Sequence, residues 1–260
     1  MTKNIRIIHS GADLHHPVKE AAVPQPRLAI PLSLDPRAVS KHLPKVRGGQ
    51  GKDEVIERLA ETITNTHAKA HVLQTFSAKL EADQTLTQAQ KALQIKRSAL
   101  KVADSLSTKL DGARHQARVS ISEIEGQIQP PRPRDAAEAQ MHSELRQRLS
   151  MMSAEDRLKV TAEKLIDNDT VAALAGAPAW VSGLSQAERD ARIASWQRKN
   201  FPEQTERLSR LKSAVEGFDR AAGSFFGMVD AVAKDPAAIL AEAQELETEA
   251  ARQKLESNDD

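Results

Sequence analysis

Residues 208–232 read LSRLKSAVEGFDRAAGSFFGMVDAV. Leu208, Leu211, Val215, Phe218, Ala222, Phe225, Val229 and Val232 fall at alternating spacings of three and four. That spacing places them along one face of an α-helix. Arg207, Arg210, Lys212, Glu216, Asp219 and Arg220 lie off the face, so these charges stay in water when the face is covered. The stretch predicts a long, buried packing helix with Phe218 and Phe225 at its centre. Gly217, Gly223 and Gly227 border the face and suit the close approach of another backbone.

The same pattern recurs upstream. Ile56, Leu59, Ile63, Thr66, Ala70, Leu73, Ser77 and Leu80 form a second seam after a capping Asp53. A break at Asp83–Thr85 follows, and Thr85 with Gln88 has the form of a capping box. A third seam runs through Leu86, Ala89, Leu93, Leu100, Ala103, Leu110, Ala117, Ile121, Ile124 and Ile128, interrupted by Lys96, Ser107 and Arg114. A tight turn makes the two segments an antiparallel hairpin, and its absence makes them one rod. The fresh start at Thr85 favours the hairpin.

Pro130, Pro131 and Pro133 end that helix. Asp135 with Glu138, Ser153 with Asp156, and Ser185 with Glu188 then start shorter helices. Leu145, Leu149, Leu158, Leu165, Ile166 and Ile193 are their apolar positions, and Trp180 and Trp196 their expected packing anchors. Pro202 suits the first turn of the 208–232 helix, and Asp235–Pro236 stops it. An acidic helix carrying Ile239, Ala243, Leu246 and Ala250 follows.

Upstream of residue 52 no helical period survives, because this stretch holds six of the twelve prolines. Leu28, Ile30, Leu32 and Leu34 alternate there, as in an extended segment whose apolar side docks on something. Gly48, Gly49 and Gly51 read as a hinge. The expected fold class is all-α: a long helical hairpin or coiled-coil segment, then a smaller helical bundle, with an extended Pro-rich N-terminal arm. The expected divisions are a basic arm over 1–52, a hairpin over 53–129, a connector over 130–134, a bundle over 135–234 and an acidic helix and tail over 235–260.

Aromatic residues make up only 3% of the 260-residue chain, which points to thin seams between helices rather than a thick core. Cysteine is absent, which excludes disulfides, thiolate metal sites and a cysteine nucleophile. Residues 1–17 lack the long apolar run of a secretory signal, and no stretch approaches the ~18 apolar residues of a membrane span. No membrane partner is expected, and the expected setting is cytoplasmic, or a particle assembled in a cytoplasm. Net charge is +1, yet residues 1–52 hold nine basic against three acidic residues, and residues 235–260 hold eight acidic against two basic. Opposite charge at the two ends suits head-to-tail association or separate acidic and basic partners.

Candidate chemistry is sparse. His67 and His71 share a helix face, but Ala68 stands where a zinc protease needs glutamate. Residues 47–52 have Val46 and Asp53 where a phosphate loop needs glycine and a hydroxyl residue. Asp167-Asn168-Asp169 opens like a calcium loop, but Val171 and Pro178 fall on ligand positions, so a helix cap is the better reading. Lys41, Lys45, Arg47, Arg132 and Arg134 are the candidate phosphate contacts, with no interleaved aromatics for base stacking. No catalytic residue, metal ligand or cofactor is indicated.

Residues 175–203, AGAPAWVSGLSQAERDARIASWQRKNFPE, resemble a stretch of uncharacterised helical proteins from tailed-phage and prophage structural regions. The shared features are Ala-Pro-x-Trp, Ser-Gly-Leu-Ser and a charged helix ending near Pro202. The resemblance implies a virion or assembly setting and carries no catalytic residue. The expected function is a structural or assembly protein forming helix-mediated oligomers. The alternative is a nucleic-acid-associated protein using the basic arm, and an enzyme ranks third.

Overall fold

The computed structural model describes residues 28–46, 49–50, 52–162 and 167–256. It is all-α apart from an antiparallel pair of two-residue strands, β1 (Lys45–Val46) and β2 (Gly49–Gln50). A 3₁₀ turn at Leu32–Leu34 and α1 (Arg37–Ser40) precede them. The long elements are α2 (Glu54–Ala82), α3 (Gln88–Gln127) and α8 (Pro202–Ala233). Between α3 and α8 lie α4 (Ala136–Met151), α5 (Ala154–Val160), α6 (Asn168–Ala175) and α7 (Gln186–Asn200). Helix α9 (Pro236–Glu256) ends the described chain.

Helix α2 starts on the Asp53 carboxylate, which accepts from the Val55 N–H at 3.2 Å and the Ile56 N–H at 3.5 Å. Its other oxygen meets Arg207 Nε at 2.9 Å, tying the start of α2 to α8. All eight expected seam positions of α2 are buried. The chain then turns back, so α2 and α3 form a hairpin. The capping box falls on Thr87 and Gln90, two residues beyond the expected pair. Thr85 belongs to the turn instead, donating its N–H and hydroxyl to Asp83. Lys91 caps the other side of the turn. Its ammonium is buried against the Glu81 carbonyl at 2.8 Å, at the negative end of α2.

The α3 seam differs from the expected one. Leu93, Ala103, Leu110, Ala117, Ile124 and Ile128 are buried as expected, but Leu100 faces water. Ala92, Ile95, Ala99, Leu106 and Ala113 are buried beside them, so the true seam is an unbroken apolar run. The supposed polar interruptions lie on its edge. Arg114 Nε reaches Asp219 on α8 at 2.6 Å, and Lys96 Nζ reaches Glu242 on α9 at 2.5 Å. Helix α3 meets α2, α8 and α9, so three neighbours widen the face it must present.

Helix α8 lies against both arms of the hairpin and completes a three-helix bundle. Seven of the eight expected positions are buried and Val215 is half-buried, while Phe218 and Phe225 are fully enclosed. The bundle expected over 135–234 therefore divides differently. Residues 202–233 belong with the hairpin, because a 32-residue seam needs a partner of similar length and α4–α7 are too short. Helices α4, α6 and α7 surround a separate small core of Leu149, Val171, Leu174, Leu184 and Trp196. Helix α5 ends at Val160, before Ala162, and Leu165 and Ile166 lie outside the described residues. Phe201 packs against both cores, and Gln197 donates to the Ile128 carbonyl at 3.1 Å.

The arm docks, but not as one extended run. Leu28 and Leu34 are buried and Ile30 is half-buried, whereas Leu32 is 97% exposed. The chain coils at Leu32–Leu34, which breaks the two-residue alternation and turns Leu32 outward. Val39, in α1, fills the core in its place. Helix α1 sits on α2 and α8, and its Ala38 carbonyl lies over Gly217, where a Cβ would overlap that oxygen. Gly223 and Gly227 have open space around them, so only one of the three glycines admits a backbone. Residues 1–27 and Arg47 lie outside the described residues.

Candidate functional site

Helix α9 is built from the turn outward. Asp235 accepts from the Ala237 N–H at 2.9 Å and, through its carbonyl, from Ile239 N–H at 3.0 Å. Pro236 occupies the first turn, where no N–H is needed. Among its described side chains only Ala238 and Ala241 are buried. Ion pairs reinforce this narrow footing: Lys96 with Glu242, and Arg97 with Glu245. The hydrogen bond from Lys96, then its charge, lowers the Glu242 carboxyl below the ordinary glutamate range.

From Ala243 to Leu255 every residue is exposed. The expected seam of Ile239, Ala243, Leu246 and Ala250 thus faces away from the bundle, with Ile239 50% and Leu246 64% exposed. Leu240 and Leu255 are open as well. The spacing of these residues left open whether the seam closes within the chain, and within the chain it stays open. The reason is geometric: only the alanine side of α9 fits against the edge of α3, whose main face already holds α2 and α8. An open groove of about 780 Å³ runs between α9 and the start of α3, lined by Thr87, Gln90, Leu93, Ala241, Gln244 and Thr248.

A second exposed feature lies on the small core. Arg157 donates Nε to the Leu149 carbonyl at 2.8 Å and Nη2 to the Met152 carbonyl at 2.9 Å, and Nη1 reaches the Gly183 carbonyl. Gly183 adopts φ 72°, and a Cβ there would meet that guanidinium at 2.7 Å. The turn so fixed holds Trp180 77% exposed, which corrects its expected role as a packing anchor. Trp196 does anchor: it is 4% exposed and donates Nε1 to Asn168 at 2.8 Å. No pattern in the sequence announced Arg157, since its role depends on joining two nearby carbonyls, Leu149 and Met152, to that of Gly183, 26 residues away.

The other expected positions gather no chemistry. Lys41, Lys45, Arg132 and Arg134 are exposed. Arg134 is engaged locally, its guanidinium and main-chain N–H both on Glu138, which lowers the Glu138 carboxyl. His67 and His71 stack edge to face at 4.5 Å, and no group of three or more His, Asp or Glu assembles among the described residues. Asp167 caps α6, accepting from the Thr170 N–H at 2.7 Å. An apolar notch of about 540 Å³ beside Pro130, Pro131 and Pro133 offers few polar groups. Among the described residues, no helix is long and apolar enough to cross a membrane.

No family model, curated protein or solved structure matches the chain.

Proposed function

We propose that this chain is a structural or assembly protein that associates through the outward face of α9. One observation carries the reading: thirteen consecutive helical residues, 243–255, lie outside any core yet carry Leu246 and Leu255. An isolated helix of ~12–15 residues is marginal in water. Continued as a helix with an apolar stripe, the segment is better suited to a partner than to solvent. The remainder of the chain suits a rigid spacer, since α3 alone spans about 60 Å at ~1.5 Å per residue. Exposed Trp180 lies in the stretch resembling phage structural proteins and offers a second anchor. That resemblance makes a phage particle the setting we favour.

Phosphate binding by the arm is the second reading, favoured by the exposure of Lys41 and Lys45. It is weaker because Arg134 is engaged with Glu138.

Light scattering on the parent and on Leu246→Glu tests the proposal. The parent is expected to exceed the 28.4 kDa of one chain as concentration rises, and the variant to remain near it. A parent of single-chain mass at every concentration overturns the reading.

A further inference from the structure

We infer that the outward face of α9 is filled by residues 1–27 of a second copy, which joins copies head to tail; the inference rests on the assembly reading above. The face is apolar along Ile239, Ala243, Leu246 and Ala250, and acidic at its borders through Glu247 and through Glu242, whose carboxylate is paired with Lys96. Pairing two α9 helices along this seam would set glutamates against glutamates, which destabilises a helix pair. The occupant must therefore be apolar and carry positive charge.

Residues 1–27 meet both conditions. Ile5, Ile7 and Ile8 are interleaved with Arg6 and preceded by Lys3, and with Lys19 and Arg27 the stretch holds four basic residues against the two acidic residues Asp13 and Glu20. Twenty-seven residues reach up to roughly 90 Å when extended, while α9 is about 32 Å long. Length does not limit the contact.

The layout of the bundle favours a neighbour over the chain's own α9. The arm lies in the groove between α2 and α8: α1 packs on both, and Ser33 Oγ lies 2.6 Å from Ser224 Oγ. Helix α9 instead rides on α3, the third member of the bundle. The described arm, residues 28–46, and helix α9 thus rest on different members of the bundle. Complementary surfaces on different sides of one molecule generate head-to-tail contacts, which propagate into rings or filaments.

Two full-length variants test this. Ile5→Glu/Ile7→Glu/Ile8→Glu spoils the segment, and Ile239→Glu/Leu246→Glu spoils the face. Both face positions are at least 50% exposed, so the fold should survive, and a thermal melt checks it. Each variant alone is expected to sediment as a single chain. A 1:1 mixture is expected to double that mass and go no further, because one intact segment meets one intact face. Raising salt should weaken the pair, as exposed charges are screened. If the parent itself is always a single chain, the assembly reading falls and takes this inference with it. If the parent associates and the segment variant associates equally well, the inference alone falls and α9 holds some other partner. A mixture that stays at single-chain mass while the parent associates also overturns the head-to-tail contact.

Discussion

Helices α8 and α9 are neighbours in the chain and carry the same three-four spacing of apolar residues, yet one seam is inside the molecule and the other outside. Phe218 and Phe225 on α8 are fully enclosed by the hairpin, while Ile239 and Leu246 on α9 are at least half open. The difference is the space each helix is offered. Helix α8 meets a trough between two helices of 29 and 40 residues. Helix α9 packs chiefly on α3, with Ala238 and Ala241 as its buried side chains. Periodicity therefore reveals that a seam exists, and the supply of partner surface decides whether it closes within the chain.

The comparison breaks most readily at its centre. Phe218→Ala is expected to cost about 3–5 kcal/mol, whereas Ile239→Ala should fall within about 0.5 kcal/mol. Paired thermal melts at low concentration check this, and equal losses would mean that both seams are buried. Lys212→Ala serves as a surface control, because its 2.7 Å pair with Glu125 is half-exposed and is worth about 0–1 kcal/mol.

A smaller effect, about 1–3 kcal/mol, is expected from Gly217→Ala. The added methyl would collide with the Ala38 carbonyl and push α1 off the bundle. Gly223→Ala, at an open position, should be neutral or slightly stabilising through better helix propensity. Denaturant midpoints of the two variants separate a docked arm from a loose one.

Most of the helical architecture was legible because heptads and caps are local. Every seam position of α2 and the Ser185–Glu188 box followed from spacing alone. What failed was non-local. Lys96 and Arg114 looked like breaks in a seam because their partners, Glu242 and Asp219, lie more than a hundred residues away. Leu32 looked docked because a strand alternates, and three residues of 3₁₀ turn undo that alternation. Trp180 looked buried because tryptophan is highly buried on average, but it lies in a short 3₁₀ turn that buries Ala179 and Ser182 and leaves the indole outside. The apolar stripe of α9 was readable, but its outward direction was not, because that depends on which faces of α3 are already occupied.

The smallest expected effect concerns pH. Lys96 holds the Glu242 carboxyl below its ordinary value, so the pair favours docked α9 above the ordinary glutamate range. That contribution is lost as pH falls through the lowered value of the docked state. Protection of the α9 amides, measured against the intrinsic exchange rate at each pH, should fall on acidification while that of α8 is unchanged, and Lys96→Gln should remove this pH dependence.

Hydrogen exchange across a concentration series, read at α8 and at residues 243–255, is the most direct comparison of the two seams. The expected result is α8 protected at every concentration, with 243–255 exchanging freely when dilute and becoming protected as copies associate. Protection of 243–255 in the dilute single chain, or free exchange there at all concentrations, would contradict an open seam that closes between copies.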